Sequence, residues 1–304
     1  MSNKIRRFFL RHIRKMRFLP PKLYAHFHYE YFNGKKLNLD NPQEFNEKIE
    51  WYKVFYHPKI LNQFVDKYAV RPFVEEKIGA QYLNEIYGVY ESAKDVPFDE
   101  LPNKFVIKGT HASSYNLIVK DKDKLDKTKA TKLFTKWLSK NQYYRMGQEW
   151  AYKDVQPRLI VEKFLKEDDK NTLVDYKFYC FDGIAKFIDV HLDRDDDHKQ
   201  ECYDLDFNPL PFGKSARYKN ISSEIDKPTN LKEMVQLSEI LAKNLPFVRI
   251  DLYSVNGKTI FGEMTFYPAD ARSKFYPDEY NKIIGDYFKL PKLEKGQKVI
   301  TEIN

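Results

Sequence analysis

The stretch that most constrains the fold lies near the end of the chain, at residues 247–268, FVRIDLYSVNGKTIFGEMTFYP. Apolar and polar residues alternate on both sides of Asn256 and Gly257. An Asn-Gly pair between two such runs is the strongest short signal for a hairpin turn. The sequence therefore predicts a β-hairpin with strands over residues 248–253 and 259–265.

Four polar side chains are expected on one face of this hairpin. Arg249 and Asp251 are two residues apart on the first strand and project from the same side. Glu263 and Thr265 have the same spacing on the second strand. Two carboxylates on rigid strands, with an arginine beside them, suit Mg²⁺ that carries substrate phosphates. An amphipathic hairpin with a solvated charged face has the same pattern, so the hairpin alone leaves both interpretations open.

The composition restricts the class of protein and of partner. Apolar residues make up 42% of the 304 residues and aromatic residues 16%, which is too rich for a disordered chain. The net charge of +8 favours anionic partners: nucleotides, acidic glycans, anionic lipids or nucleic acid. Cys180 and Cys202 belong to no CxxC or Cys/His cluster, which argues against a zinc site and fits a reducing cytoplasm. No apolar run reaches about 18 residues, the length that predicts a membrane span.

A second hairpin is predicted in the middle of the chain, with strands over 104–108 and 116–120 around a small polar loop at 109–115. Backbone N–H groups and hydroxyls of such a loop can hold phosphate oxygens, and Lys108 adds a positive charge at the strand end. The loop is not a Walker A motif, because no Gly-Lys-Ser/Thr opens a helix here. A simple hairpin loop is the alternative.

Further elements follow from periodicity and from cap and turn residues. Asn41 as N-cap and Pro42 at the first position predict a helix start, and a helix from near Arg71 is expected to end at Gly79. Helices are also predicted over 58–67, 127–141 and 230–244, and strands over 82–90, 159–165, 175–181 and 184–192. The acidic residues at 193–198 are either a cation site or, more in keeping with such runs, a solvated loop.

The N-terminal stretch, residues 2–19, combines an apolar stripe at helical spacing with many basic residues, and Pro20 and Pro21 are expected to end the helix. It lacks the apolar run and cleavage site of a signal peptide. Three uses stay open: lying on an anionic membrane surface, docking on the protein's own core, and binding nucleic acid.

The order of these motifs is more specific than any one of them. In chain order they are Asp66, Lys67, Gly79, Lys108, the EKFL strand at 162–165, Arg249, Asp251, Glu263, Thr265 and Pro268. This order resembles the ATP-grasp superfamily, as in D-alanine–D-alanine ligase. The segments DYKFYCFDG and FVRIDLY resemble its TupA-like group, associated with teichuronopeptide and polysaccharide biosynthesis. The resemblance spans about residues 40–285 and leaves residues 1–35 outside it.

The resemblance implies an α+β chain with the ATP-grasp fold, in which two antiparallel-sheet subdomains clasp a nucleotide behind a small N-terminal α/β region. The expected division is a basic amphipathic helix at 1–20, an N-terminal region at 21–102, a lid subdomain at 103–165 and a C-terminal core subdomain at 166–304.

The resemblance also implies ATP and Mg²⁺ as cofactors and assigns roles to residues. Arg249 is expected to be catalytic, stabilising the transferred phosphoryl group, and Asp251, Glu263 and Thr265 are expected to hold the metal. The residues expected to bind the nucleotide are Lys67, Lys108, His111, Ser113, Ser114, Glu162, Lys163, Phe164, Leu165 and Lys177. Two features depart from the family: Thr265 replaces a metal-binding Asn, and Ala112, Ser113 and Ser114 stand where small glycines are common.

The implied activity is that of a carboxylate–amine ligase acting through an acyl phosphate in surface or capsular polysaccharide biosynthesis. Its partners are expected to be an acidic glycan or glycan precursor and an amine or amino acid, in the cytoplasm, with residues 3–19 at the inner face of the membrane and no nucleic acid. The alternatives are a phosphotransferase or glycosyltransferase of the same pathway, or a non-catalytic protein that binds anionic membrane or nucleic acid.

Overall fold

A computed structural model describes residues 3–13, 15–16, 18–166, 173–192, 199–214 and 225–303. Its α-helices are α1 (Asn3–Ile13), α2 (Pro21–Asn33), α3 (Phe45–Phe55), α4 (Ile60–Val65), α5 (Arg71–Lys77), α6 (Lys127–Leu138), α7 (Gln142–Arg145), α8 (Leu231–Ala242) and α9 (Tyr280–Tyr287). The acidic run at 193–198 lies outside the described residues.

The strands are β1 (Ile86–Tyr90), β2 (Phe105–Gly109), β3 (Asn116–Val119), β4 (Leu159–Lys163), β5 (Asp175–Phe181), β6 (Ile184–Leu192), β7 (Lys199–Tyr203), β8 (Phe247–Val255) and β9 (Lys258–Thr265). Among the described residues they form a four-stranded sheet in the order β1-β4-β2-β3 and a five-stranded sheet in the order β7-β6-β5-β8-β9. Every described pairing between these strands is antiparallel. The expected α+β class with two antiparallel sheets is therefore confirmed.

The hairpin at 247–268 forms as predicted from β8 and β9. Asn256 and Gly257 have φ angles of 50° and 75°, the left-handed pair that a tight two-residue turn requires. The turn sets the register up to Leu252 opposite Phe261. A bulge at Gly262 then shifts the register by one residue, which places Asp251 opposite Glu263 and Arg249 opposite Thr265. All four side chains thus share one face of the sheet.

The four-stranded sheet has its own apolar core. Phe105, Ile107 and Val161 alternate along β2 and β4 and pack against Phe134 and Trp137 of helix α6. The same core includes residues 93–101, and β1 also lies before residue 103, where the lid subdomain was expected to begin. The predicted helix 127–141 ends earlier, at Leu138, and the short helix α7 follows it.

Helix α3 starts later than its sequence signals indicated. The prediction of a start at Asn41 and Pro42 is wrong, since the helix begins at Phe45. The Glu47 carboxylate accepts a hydrogen bond from the backbone N–H of Glu44 at 3.0 Å, and this reciprocal cap satisfies the free N–H at the helix start. The Asn41 side chain instead accepts a hydrogen bond from Gln43 at 2.7 Å.

The N-terminal helix is shorter than predicted, ending at Ile13, and Pro21 is the first residue of α2 rather than a terminator. Leu10 is buried, Arg6 forms an ion pair with Glu30 of α2, and α1 packs on α2. Phe8 and Phe9 remain 60% and 50% exposed. The helix therefore docks on the protein and still presents an aromatic surface. Among the described helices, none has the length and apolar character to cross a bilayer.

Five buried charged or titratable residues connect helices α2 and α3 to two loops that are distant in sequence. We call them the buried charge cluster: His28, Glu50, Lys53, Glu149 and Asp270. The Lys53 ammonium lies 2.6 Å from an Asp270 carboxylate oxygen and 3.3 Å from one of Glu50. His28 contacts the same two carboxylates at 3.2 and 2.8 Å. Pairing of this kind is what allows charges to stay in a protein interior.

Glu149 makes the stability of this cluster depend on pH. Burial, and next the neighbouring Asp270 carboxylate, raise the pKa of Glu149 to about 8, although Lys53 and Arg272 oppose the rise. Because the folded protein holds this proton more tightly than the unfolded chain does, the contribution of Glu149 to stability is complete at pH values below its unfolded pKa of about 4.5. It is lost as the pH rises from about 4.5 to about 8. Each unit of pKa difference corresponds to about 1.4 kcal/mol.

We expect Glu149→Gln to reduce the fall in the free energy of unfolding with rising pH, because the amide retains hydrogen bonding and cannot ionise. Chemical denaturation of both proteins between pH 5 and about 8.5 checks the difference in the free energy of unfolding. The exposed Glu294→Gln exchange serves as the control and should leave the wild-type pH slope unchanged. Parallel pH curves for wild type and Glu149→Gln would contradict the prediction.

Candidate active site

Polar residues from four neighbouring strands line up across the five-stranded sheet. Glu263 on β9 lies opposite Asp251 on β8, Asp251 lies opposite Lys177 on β5, and Lys177 lies opposite Asp189 on β6. We call these four residues the charged row. Because residues that face each other across strands project to the same side, the row places three carboxylates and one cation on one face.

Asp251 is the most heavily engaged member of the row. Its carboxylate accepts hydrogen bonds from Arg249 at 2.6 and 2.7 Å and from Lys177 at 2.7 Å. Lys177 also forms an ion pair with Asp175, and all three residues of this triad are buried. Burial lowers the pKa of Arg249, but the charge of Asp251 more than offsets it, so that the arginine pKa lies well above its ordinary value.

Glu263 and Thr265 occupy the same face beside Arg249. An Arg249 N–H group lies 3.3 Å from a Glu263 carboxylate oxygen and 3.2 Å from the Thr265 hydroxyl oxygen. The Thr265 hydroxyl in turn donates to Glu263 at 3.2 Å. The hydroxyl of Thr265, which is expected to be a metal ligand, is thus hydrogen-bonded to both Arg249 and Glu263 in this arrangement.

Lys67 connects the two sheets. Its ammonium donates to the backbone carbonyl of Ala112 at 3.0 Å and lies 3.5 Å from the Glu263 carboxylate. Ala112 belongs to the lid loop, residues 110–115 between β2 and β3. Asp66 fixes the chain here, since its carboxylate accepts hydrogen bonds from the Tyr68 and Ala69 N–H groups at 2.8 and 2.9 Å.

The other lid-loop residues divide into two groups. Ser113 is held by the segment that follows α6, because Gln142 donates to its hydroxyl and Arg145 to its carbonyl, both at 3.0 Å. Ser114 is exposed and has a positive φ of 61°. The His111 ring is buried in the lid and lies 3.1 Å from the Trp137 carbonyl. Burial lowers the pKa of His111, so the ring is neutral and contributes no positive charge to phosphates.

Strand β4 provides the remaining predicted nucleotide contacts. Lys108 donates to Glu162 across the strands at 2.6 Å. The Lys163 N–H donates to the Glu85 carbonyl at 2.9 Å, and the Lys163 carbonyl accepts from the Asn84 side chain at 2.9 Å. Both backbone groups of Lys163 are thus engaged, and Phe164 and Leu165, which follow it, are partly exposed.

A cavity of about 530 Å³ lies next to this strand, lined by Tyr68, Arg71, Asn84, Glu85 and Arg158 among others. Arg158 stacks over the Tyr68 ring at 5.0 Å and donates to Asp66 at 2.9 Å. The cavity therefore borders both the segment that carries Lys67 and the strand that carries Glu162.

Sequence reasoning missed two charged residues: Asp189, which belongs to the charged row, and Lys214, which lies near it. The Lys214 ammonium lies 4.8 and 5.2 Å from the ring centres of Tyr179 and Phe275. Burial lowers the pKa of Lys214 to about 8. Burial opposes ionisation of Asp189, but His191 and then Lys214 and Gln200 hold its pKa at about 2. Alternation along β6 could have indicated Asp189, whereas Lys214 lies in an irregular segment without a pattern.

The residues present fit a magnesium ion carried by phosphates. Asp251 and Glu263 supply two carboxylates from facing positions, and Mg²⁺ is usually bound by one or two carboxylates with substrate phosphates completing the shell. Among the described residues there is no group of three or more His, Cys, Asp or Glu side chains that would form an all-protein metal cage. The arrangement therefore favours a metal that arrives with a nucleotide.

Two antiparallel sheets meet at Lys67, beside Arg249 and the facing carboxylates Asp251 and Glu263. A family model described as TupA-like ATPgrasp matches residues 47–289. The chain belongs to the TupA-like ATP-grasp family.

Solved structures show only a distant likeness. D-alanine–D-alanine ligase from Bacillus anthracis complexed with ATP is 18% identical, with 68% of this chain and 55% of that chain covered and a TM-score of 0.39. Phosphoribosylamine–glycine ligase from Thermotoga maritima is 14% identical, with 69% and 50% covered and a TM-score of 0.39. The chain thus spans about half the length of these proteins. Among curated proteins, none is significantly similar to it.

Lys177 is expected to be required for stability, because its removal leaves Asp175 and Asp251 facing each other in the interior. We expect Lys177→Met to lower the free energy of unfolding by about 3–5 kcal/mol, the usual effect of breaking a buried ion pair on one side. Urea denaturation at neutral pH measures it. Lys186→Met on β6, an exposed lysine, is the control and should stay within about 0.5 kcal/mol of wild type. Equal effects of both changes would contradict the prediction.

Proposed function

We propose that this chain is an ATP-dependent carboxylate–amine ligase of surface or capsular polysaccharide biosynthesis. The observation that carries the proposal is the facing pair Asp251 and Glu263, with Arg249 between them and with Lys67 bridging Glu263 to the lid loop. Such a set binds a metal–nucleotide complex and neutralises charge during phosphoryl transfer.

The proposed reaction has two steps. A carboxylate oxygen of the acceptor attacks the γ-phosphorus of ATP, the bond from that phosphorus to the bridging oxygen breaks, and ADP leaves. The amine nitrogen then attacks the acyl carbon, the carbon–oxygen bond to phosphate breaks, and loss of a proton completes the amide. Positioning and charge neutralisation are sufficient for this chemistry, so no nucleophile from the protein is required.

Each residue role in this proposal follows from its position. Asp251 and Glu263 would hold Mg²⁺, which when bound bridges and neutralises phosphate oxygens. Arg249 would face the transferred phosphoryl group, since it already lies at the junction of the two carboxylates. Lys67 and the lid loop would contact the phosphates. Lys108 would also contact the phosphates. Glu162, with Phe164 and Leu165, would face the base and ribose, and Lys177 would keep Asp251 in place.

The substrates are proposed as an acidic glycan or its precursor and an amine or amino acid. A net charge of +8 supports an acidic acceptor, because a positive surface raises the local concentration of anions. ADP formation without an amide product would instead indicate a phosphotransferase. A glycosyltransferase would be stabilised by a sugar nucleotide and not by ATP.

The proposal is tested by Mg²⁺-dependent nucleotide binding together with product formation. We expect Mg²⁺-ATP to raise the melting temperature of the wild type, and Asp251→Asn and Glu263→Gln to cancel that rise, because each removes one anionic metal ligand. ADP release, screened against uronic acids paired with amino acids, and mass detection of an amide identify the reaction.

The control for this test is Glu294→Gln, which changes an exposed carboxylate outside the candidate site and should keep the response to Mg²⁺-ATP. If both active-site variants respond to Mg²⁺-ATP as the wild type does, the metal assignment is wrong. If no amide forms with any pair although ADP is released, the ligase assignment is wrong.

We also propose that helix α1 holds the protein at the cytoplasmic face of an anionic membrane, beside a lipid-linked acceptor. Phe8 and Phe9 are exposed, Phe18 is 77% exposed, and Arg11 and Lys15 are exposed near them. Exposed aromatic residues among basic ones are typical of helices that lie in a lipid interface.

Charge reversal of Arg7, Arg11 and Lys15 to Glu is expected to abolish binding to vesicles of phosphatidylcholine with phosphatidylglycerol. Each basic residue near such a surface contributes about 1 kcal/mol. Cosedimentation at low salt measures the bound fraction. The matched control reverses three exposed lysines of α6, Lys129, Lys132 and Lys136. Equal loss in both variants, or binding of the wild type to neutral vesicles alone, would contradict the helix assignment.

A further inference from the structure

Strand β9, which carries the proposed metal ligand Glu263, is followed by a loop with an unusual backbone conformation. Residues Pro268–Ala271, which we call the arch, begin three positions after Thr265. Ala269, Asp270 and Ala271 have φ angles of 50°, 57° and 56°. Three consecutive left-handed residues that are not glycine are strained, at about 1–2 kcal/mol each. Such a loop persists only when other contacts hold it.

Lys53 of helix α3 is the residue that contacts the arch most completely. Its ammonium donates to the Asp270 carboxylate at 2.6 Å and to the Asp270 backbone carbonyl at 3.1 Å. The remaining N–H group points to Glu50 at 3.3 Å, and Lys53 is only 3% exposed. One ammonium group therefore fixes both the side chain and the backbone of the central arch residue.

Other elements enclose the same carboxylate. His28 of α2 lies 3.2 Å from the second Asp270 oxygen, and Asn33 donates to the Ala271 carbonyl at 3.0 Å. On the far side, a Cβ atom placed on Gly147 would lie 2.1 Å from an Asp270 oxygen, so only glycine fits there. Asp270 is thus enclosed by contacts on three sides, which is more than a residue in a surface turn makes.

We propose that Lys53, acting through Asp270, is a positioning residue that fixes the arch and with it the end of strand β9, which carries Glu263, one of the two proposed metal ligands. The inference rests on the proposed function. The hydrogen bonds of Lys53 go to Glu50 and Asp270, and neither is a proposed ligand of the metal or the nucleotide. Lys53 acts as the groups behind metal ligands do, by limiting the positions that the ligands can adopt.

The test is the affinity for ADP with and without Mg²⁺, measured by calorimetry on the full chain below its melting temperature. In the wild type, Mg²⁺ is expected to tighten ADP binding. Lys53→Met is expected to reduce this Mg²⁺-dependent gain about 10- to 100-fold, as loss of a group that orients metal ligands does, and to leave the affinity for metal-free ADP unchanged. A merely structural lysine would not affect the two affinities differently.

The matched control is Lys48→Met on the same helix. Lys48 donates to the carbonyls of Gly285 and Phe288, both at 2.8 Å, and has no contact with the arch. This variant is expected to lose stability and to keep the full Mg²⁺-dependent gain. If it loses the gain as Lys53→Met does, the effect is one of general stability and the inference fails.

A second variant keeps the test decisive if Lys53→Met does not fold. Lys53→Met combined with Asp270→Asn leaves no lone carboxylate at the arch, and asparagine tolerates the left-handed conformation. It is expected to show the same loss. A wild-type gain that survives in both Lys53 variants overturns this inference alone. Absence of any Mg²⁺-dependent gain in the wild type overturns the proposed function and this inference together.

Discussion

A buried carboxylate stays charged only when it is paired, and Asp251 is paired on both sides. Arg249 is its neighbour along β8 and Lys177 its neighbour across the strands, at 2.6 and 2.7 Å. Removing water from such charges costs several kcal/mol per ion, so the row is stable only with its partners complete. This constraint ties β5, β8 and β9 into one unit and, under the proposed function, sets where a metal and its phosphates would be held.

The hairpins were predictable because their information is local. Asn256 and Gly257 set the turn, and alternation placed Arg249 and Asp251 on one side. A bulge at Gly262, which no local turn signal specifies, brings Glu263 to the same side. The hairpin of β5 and β6 around Asp182 and Gly183 followed for the same reason and is confirmed. Sequence order then supported the family, whose model covers residues 47–289.

Contacts between distant segments were not predictable in this way. Lys177 and Asp251 are 74 residues apart, and nothing in either segment specifies that β5 and β8 are neighbours. The start of α3 was misplaced because Asn41 and Pro42 are strong local signals, whereas Glu44 and Glu47 formed the cap instead. His111 illustrates the same limit: its loop was predicted, but packing against Trp137 decided where the ring lies.

The arch is the clearest case of tertiary structure overriding local preference. Ala269, Asp270 and Ala271 do not favour a left-handed backbone as glycine does. Pro268 and Asp270 are common turn residues, but they do not specify three left-handed residues in succession. The conformation is explained only by Lys53, 217 residues away in sequence, and by the space that Gly147 leaves. Strain that is maintained by distant buried groups is a common feature of functional sites.

The pairing within the ligand-free site also suggests how a nucleotide would enter under the proposed function. Lys67 and Arg249 lie near Glu263, and Arg249 and Lys177 contact Asp251, so each cation already has a carboxylate beside it. A metal held by Asp251 and Glu263 would replace part of that positive charge. Lys67 and Arg249 would then turn to the phosphates without any charge being left unpaired. Under the proposed function, neighbouring carboxylates and cations would thus keep this sheet face stable with and without bound nucleotide. Binding would replace ion pairs within the protein by ion pairs with the metal and the phosphates.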